Sequence, residues 1–380
     1  MLKQKWLLFP IMGVLAVGVF LIVSHQGKAY RVGLLYPQSG ENARLGESVR
    51  QAAELAELNA NATLFKDSLM RMKLVFRDTQ GRPSIAKQEF LALADIERVP
   101  VVVGSLLSND TQNFIKDADE RKVVVLANGA SSPHLRDVVG YPGSYIFRNW
   151  PSDDAEGVEM AEYARQSLSL RSGACLVAKD AYALGLANAF EQRFRALGGD
   201  LVTEQYNVGE SDFLAVVQKL SRSQPEFVYV VGFPAELGHI VREVRRTLGP
   251  KKPILSAVGI ESDEFFRVAG DAADNIFYTA PYVNPGSPEF LDFQEAYRKR
   301  YKENPDITAS VTYDAVMLVA HAIAESGYSA DAIKDHLHKV RNYPGTSGDT
   351  TFTEIGDVRK PTSIKRIEKG KSYLLEVYGK

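Results

Sequence analysis

Two neighbouring runs decide the fold: Val101-Val102-Val103-Gly104-Ser105-Leu106-Leu107-Ser108-Asn109-Asp110-Thr111-Gln112, then Val123-Val124-Val125-Leu126-Ala127-Asn128-Gly129-Ala130-Ser131-Ser132-Pro133. Each opens with β-branched residues and ends in small hydroxyl residues. Short apolar runs of this kind, set between polar helical segments, read as parallel strands buried on both faces. Ligands of open α/β sheets sit just beyond the carboxyl ends of such strands. Ser108 and Ser131 are therefore the first residues expected to meet a bound polar ligand.

Working outward, the same alternation continues on both sides. Arg31–Tyr36 and Leu74–Phe76 read as strands, with helical spacing at Val49, Ala52, Ala53 and Ala56, and again over Ser84–Asp95. Asn109–Arg121 reads as the helix between the two opening strands. A second series begins at Ala155–Ser167 and runs through strands Ala174–Ala178, Leu201–Tyr206, Phe227–Gly232 and Pro253–Ser256. Asn275–Ala280 then leads back toward the first series, followed by amphipathic segments Pro288–Tyr301 and Ser310–Ser326. The tail alternates like a hairpin through Thr351–Thr353, Ile364–Ile367 and Tyr373–Val377. Strand–helix alternation implies α/β architecture with parallel sheets and right-handed crossovers. A chain of 380 residues is long enough for two such lobes.

Composition narrows the function. With 45% hydrophobic and 24% charged residues and a net charge of −2, the chain is an ordinary soluble globular protein. It carries no concentrated basic surface, so nucleic acid is not an expected partner. Cys175 is the only cysteine, which excludes an intramolecular disulfide and a cysteine-rich metal site; its apolar surroundings mark it as core. The amino terminus differs: Lys3 and Lys5 precede an 18-residue apolar run, Trp6–Val23. That is an export signal, either cleaved after Ala29 or kept as an anchor just long enough to span a bilayer. No cysteine follows it for lipid attachment. Removing residues 1–29 takes away Lys3, Lys5 and Lys28 and no acid, shifting the charge from −2 to −5.

Motifs of catalysis are missing. There is no Walker loop, no G-x-G-x-x-G and no G-x-S-x-G. The six histidines have no metal-ligand spacing apart from His336/His338, which face different ways on a helix. Asp153/Asp154 read as helix-start acids, favoured there by the dipole. No enzymatic activity, cofactor or metal is expected.

The order of segments resembles the type I periplasmic substrate-binding proteins, in particular the leucine/isoleucine/valine-binding receptors of ABC importers. The resemblance is carried by Gly33–Gly40 with Leu45-Gly46, Phe76–Thr79, Val103–Gln112, Ala130–Pro133, and Phe147-Arg148 with Asp153. Lys179–Tyr182 with Gly185, Glu210–Phe213, Tyr301 with Pro305, and Tyr313–Val316 complete it. It implies two Rossmann-like lobes joined by a three-crossing hinge and closing on a ligand. One lobe would comprise residues 30–149 and 280–338, the other 150–279 and 339–380.

The resemblance also implies a site. Ser108 and Ser131 would hold a ligand carboxylate, and Ala130 would offer its backbone carbonyl. Tyr182 would close over the ligand from the second lobe. Glu261 stands near the acid that pairs with a ligand amine, since a buried carboxylate facing the cleft needs a cation. Trp150 and Phe233 are candidate wall residues, and Leu45 stands where many members carry an aromatic. A structural role is open to the same residues: Ser108 or Asn109 as helix cap with Gln112 completing a box, Ser131 and Ser132 as turn formers, Phe233 as core. The implied function is capture of an amino acid or similar small polar ligand, in the periplasm or at the extracytoplasmic face of the inner membrane, for delivery to an ABC-importer permease. A receptor anchored through Trp6–Val23 and acting as a sensor is the alternative.

Overall fold

The computed structural model describes residues 29–379; the Trp6–Val23 run lies outside them. The first half contains β1 (Ala29–Tyr36), α1 (Ala43–Thr63), β2 (Arg71–Asp78), α2 (Pro83–Leu91), β3 (Val101–Gly104), α3 (Ser108–Glu120), β4 (Val124–Ala127), α4 (Leu135–Val139) and β5 (Ile146–Arg148). Its five strands form one parallel sheet in the order β2-β1-β3-β4-β5.

The second half contains α5 (Asp153–Glu162), β6 (Ser172–Ala178), α6 (Ala181–Ala196), β7 (Asp200–Tyr206), α7 (Leu214–Ser221), β8 (Phe227–Val231), α8 (Pro234–Leu248), β9 (Ile254–Ala257), α9 (Asp263–Ala269) and β10 (Ile276–Pro281). Then come α10 (Pro288–Tyr301), α11 (Ile307–Ser326), α12 (Ala330–Leu337), β11 (Thr351–Phe352), β12 (Val358–Arg359), β13 (Thr362–Glu368) and β14 (Lys371–Tyr378). The second sheet runs β14-β13-β10-β9-β8-β6-β7. Strands β6 to β10 are parallel, while β13 and β14 close the sheet as an antiparallel hairpin.

Every residue of β3 and β4 is buried, because helices cover both faces of their sheet. The period of two is visible in β1. Val32, Leu34 and Tyr36 face Val49, Ala53 and Ala56 of α1 together with Val316 and Val319 of α11. Leu35 faces the other way, into a cluster with Phe90 and Phe114. Those two rings stack at 4.9 Å and dock α2 against α3. Burying each contributes about 2–3 kcal/mol, and it sets the angle at which α3 presents Ser108. Gly104, at φ 120°, ends β3 where a Cβ would fall 2.1 Å from the Leu35 carbonyl oxygen, so only glycine lets the strand end approach β1.

Helix α11 is long and apolar enough to cross a bilayer, yet most of it is packed inside the first lobe. Two expectations need correction. The segment after α12 does not join the second lobe at residue 339: Val340, Phe352 and Val358 lie in the first sheet's core, and the Gly356 carbonyl accepts from the Arg148 N–H. The chain crosses between Arg359 and Thr362. Thr351–Phe352 likewise pairs with Val358–Arg359 in its own short ladder, not with the β13–β14 hairpin.

Candidate ligand-binding cleft

The hydroxyl loops after β3 and β4 are fastened to each other. Ser108, the first residue of α3, is 2% exposed, and its Oγ accepts the backbone N–H groups of Ser131 and Ser132, each at 3.2 Å. Its hydroxyl proton remains free to donate. Arg148, equally buried, fixes the carbonyl side: Nη1 donates to Ser131 O at 2.8 Å and Ser132 O at 3.1 Å, and Nη2 to Asp357 at 2.9 Å. Asp357 also takes Arg136 at 2.5 Å. A loop whose N–H and C=O groups are both occupied cannot drift.

The expected helix cap is not formed. Position Leu107 caps α3 with no side-chain bond. Asn109 instead spans to the second lobe, donating to Asp180 Oδ2 at 2.6 Å and accepting the Ala181 N–H at 3.1 Å. Gln112 turns to the Ser132 hydroxyl at 3.3 Å. Asn109 forgoes its own helix because a charge-assisted partner across the cleft is the stronger bond.

Between the lobes lies an inner pocket of about 110 Å³, sharing part of its wall with an outer cleft of about 880 Å³. Ser108, Ser131 and Leu45 line the pocket from the first lobe, Tyr182, Phe233 and Glu261 from the second, and Trp150 from the first crossing. Ala130 does not line it; its methyl group is fully buried in the opposite core cluster. The Tyr182 and Phe233 rings approach at 6.2 Å. The Tyr182 hydroxyl is buried without a hydrogen-bond partner, and burial holds its pKa well above the usual phenol range.

Glu261 departs from its expected state. It follows β9 and accepts from the Tyr278 hydroxyl at 2.5 Å and from Lys365 Nζ at 2.7 Å, both on the same Oε1. The cation that this carboxylate needs is supplied by strand β13, so no ligand ammonium is required to neutralise it. Asp306, which the sequence reading missed, is the other pocket acid. It caps α11 through the Ala309 N–H at 2.7 Å and accepts the Ser48 hydroxyl at 2.8 Å. Its signal is a carboxylate just ahead of a long apolar helix. Ile307, Thr308 and Pro234 were missed too; they reach the pocket because α11 and α8 start there.

Behind Trp150 a row of acids runs along successive turns of α5. Asp153 is fully buried, neither carboxylate oxygen in a well-formed hydrogen bond although the Ser131 hydroxyl lies beside it; burial, then Glu156, pushes its pKa well up. Glu156, beside Thr279 and Trp150, is pushed up to about 7 by burial. Glu159 receives the Thr362 hydroxyl and is raised to about 7, again by burial. Trp150 stands on the first crossing, and Thr279 and Thr362 on β10 and β13, the second-sheet strands that lead into the other two, so the row lies against the hinge side of the second lobe. Cys175 lies buried in the second core, where desolvation raises its thiol pKa.

A family model described as "Periplasmic binding protein" matches residues 29–371. The leucine-, isoleucine-, valine-, threonine- and alanine-binding protein of Pseudomonas aeruginosa is 22% identical over 363 residues, covering 94% of this chain and 95% of that one. An amino acid binding protein of the same organism is 30% identical over 264 residues, 68% of this chain and 69% of its own. The crystal structure of a branched-chain amino acid transporter substrate binding protein from Streptococcus pneumoniae, in complex with isoleucine, superposes with a TM-score of 0.83 at 25% identity, covering 92% and 99% of the two chains. The match takes in the first sheet, the second sheet up to the start of β14, all three crossings and every pocket residue named above: the chain belongs to the periplasmic binding protein family.

Proposed function

We propose that the chain captures an amino acid or similar small polar ligand in the inner pocket and hands it to the membrane permease of an ABC importer. The observation that carries this reading is the braced pair of hydroxyl loops facing apolar walls across a cleft. A carboxylate in the pocket would meet the Ser108 hydroxyl and the free N–H groups at the start of α3, where the helix dipole favours an anion. Leu45, Trp150, Tyr182 and Phe233 would enclose the rest of the ligand. The Pseudomonas and Streptococcus relatives, named for amino acid binding, support the ligand class. The apolar run Trp6–Val23 supports a location outside the cytoplasm, free in the periplasm or tethered to the inner membrane.

The test is thermal unfolding with a panel of amino acids, amides and aromatic acids. A true ligand at about 100 times its Kd adds about 2.7 kcal/mol of stability. Ser108→Ala combined with Ser131→Ala is expected to abolish that gain while the unliganded chain still unfolds cooperatively. Unchanged affinity in the double variant would remove the carboxylate site.

A further inference from the structure

No lysine, arginine or histidine lines the inner pocket, so a carboxylate there depends on hydroxyl and N–H donors. A hydroxyl carries one proton and two lone pairs, and it holds an anion only when that proton is not drawn elsewhere. For Ser108 the neighbours settle this: the Ser131 and Ser132 N–H groups fill both lone pairs, and the proton is left for the pocket. Ser131 also lines the pocket, and Asp153 lies behind its hydroxyl. An ionised Asp153 would draw the Ser131 proton away from any anionic ligand.

Nothing in the surroundings of Asp153 supports an ionised state. It is 0% exposed, and neither carboxyl oxygen has a hydrogen-bond partner. Among the described residues no cation pairs with it, because Arg148 is committed to Ser131 O, Ser132 O and Asp357. The other titratable groups around it are Asp154 and Glu156 on α5, Tyr182 on α6 and Tyr229 on β8, all of them acids or neutral hydroxyls. The start of α5 favours an anion, but only slightly beside the cost of burying an unpaired carboxylate.

Resting on the carboxylate reading above, we propose that Asp153 is a positioning residue: a neutral acid that donates to Ser131 Oγ, so that Ser131 in turn donates to the ligand. Both serines then present protons to the pocket, and the two bonds in series strengthen each other.

Infrared spectroscopy on the full-length chain with carboxyl-labelled aspartate reads the proton directly. A protonated-carboxyl band at neutral pH is expected, lost in Asp153→Asn and displaced in Ser131→Ala. Absence of the band, or a band that ignores Ser131→Ala, overturns the proposal and leaves the carboxylate site standing. Calorimetry with leucine, or with the panel carboxylate that binds where leucine does not, supplies the second arm. Asp153→Val is expected to bind about fivefold more weakly, and Asp153→Asn, whose amide still donates, to recover most of that loss. Tighter binding by both variants would reveal a carboxylate that had been taking the Ser131 proton, and overturns the proposal. Binding of no carboxylate by the unaltered chain removes the site, and the ligand role of Asp153 with it, even where the infrared band is present.

Discussion

The two walls of the pocket are built on different principles. The first-lobe wall is backbone held in place: Ser108 occupies two loop N–H groups, and Arg148 occupies two loop carbonyls. The second-lobe wall is made of side chains, Tyr182, Phe233 and Glu261, and one of its polar atoms, the Tyr182 hydroxyl, has no partner. On the proposed reading, the held backbone would recognise a feature common to many ligands. A wall of side chains can be exchanged residue by residue without disturbing a strand, and there one ligand would be told from another.

Breaking the rigid wall has the largest expected effect. Arg148→Met strips two carbonyls and Asp357 of a buried cation, although Arg136 still holds Asp357. A loss of about 3 kcal/mol in unfolding free energy is expected by urea titration, together with loss of ligand-induced stabilisation. A cost under about 1 kcal/mol would show that the loop holds itself.

The joint between the walls is probed by pH. Glu156 is raised from 4.5 to about 7 by burial, so the folded chain binds a proton there that the unfolded chain has released between those values. Stability from this group is full below about pH 4.5, falls as pH rises, and is lost by about pH 7. The difference is about 3 kcal/mol. Glu156→Gln is expected to flatten the stability profile across that window and to stabilise the chain at pH 8. Retention of the slope would assign it to Asp153 or Glu159.

The mildest change sharpens the contrast from the other side. Tyr182→Phe removes a buried hydroxyl that has no partner, so the unliganded chain is expected to be unchanged or about 1 kcal/mol more stable. Ser108→Ala, which strands two N–H groups, is destabilising by comparison. Denaturation of the two single variants side by side checks the difference.

Strand ends were legible because burial on both faces forces an unbroken β-branched run, and a chain leaving a parallel sheet must turn at its carboxyl edge. That logic led to Ser108 and Ser131 directly. It failed for Asn109, whose local pattern satisfies a helix cap; its actual partner, Asp180, lies 71 residues away. It gave no sign of the role of Lys365, a residue of the Ile364–Ile367 run that sits 104 residues from Glu261. It misassigned the segment from 339 to 360 because short turns carry no periodicity to say which core they cover.

The sequence by itself determined the alternation of strands and helices, the two hydroxyl clusters and the family, since these depend on residue type and spacing along the chain. Only the tertiary structure decided how the clusters are braced, what neutralises Glu261, and which acids lie buried in the hinge. Those depend on charges and hydrogen bonds between residues far apart in the chain, whose strength is set by the water that folding excludes.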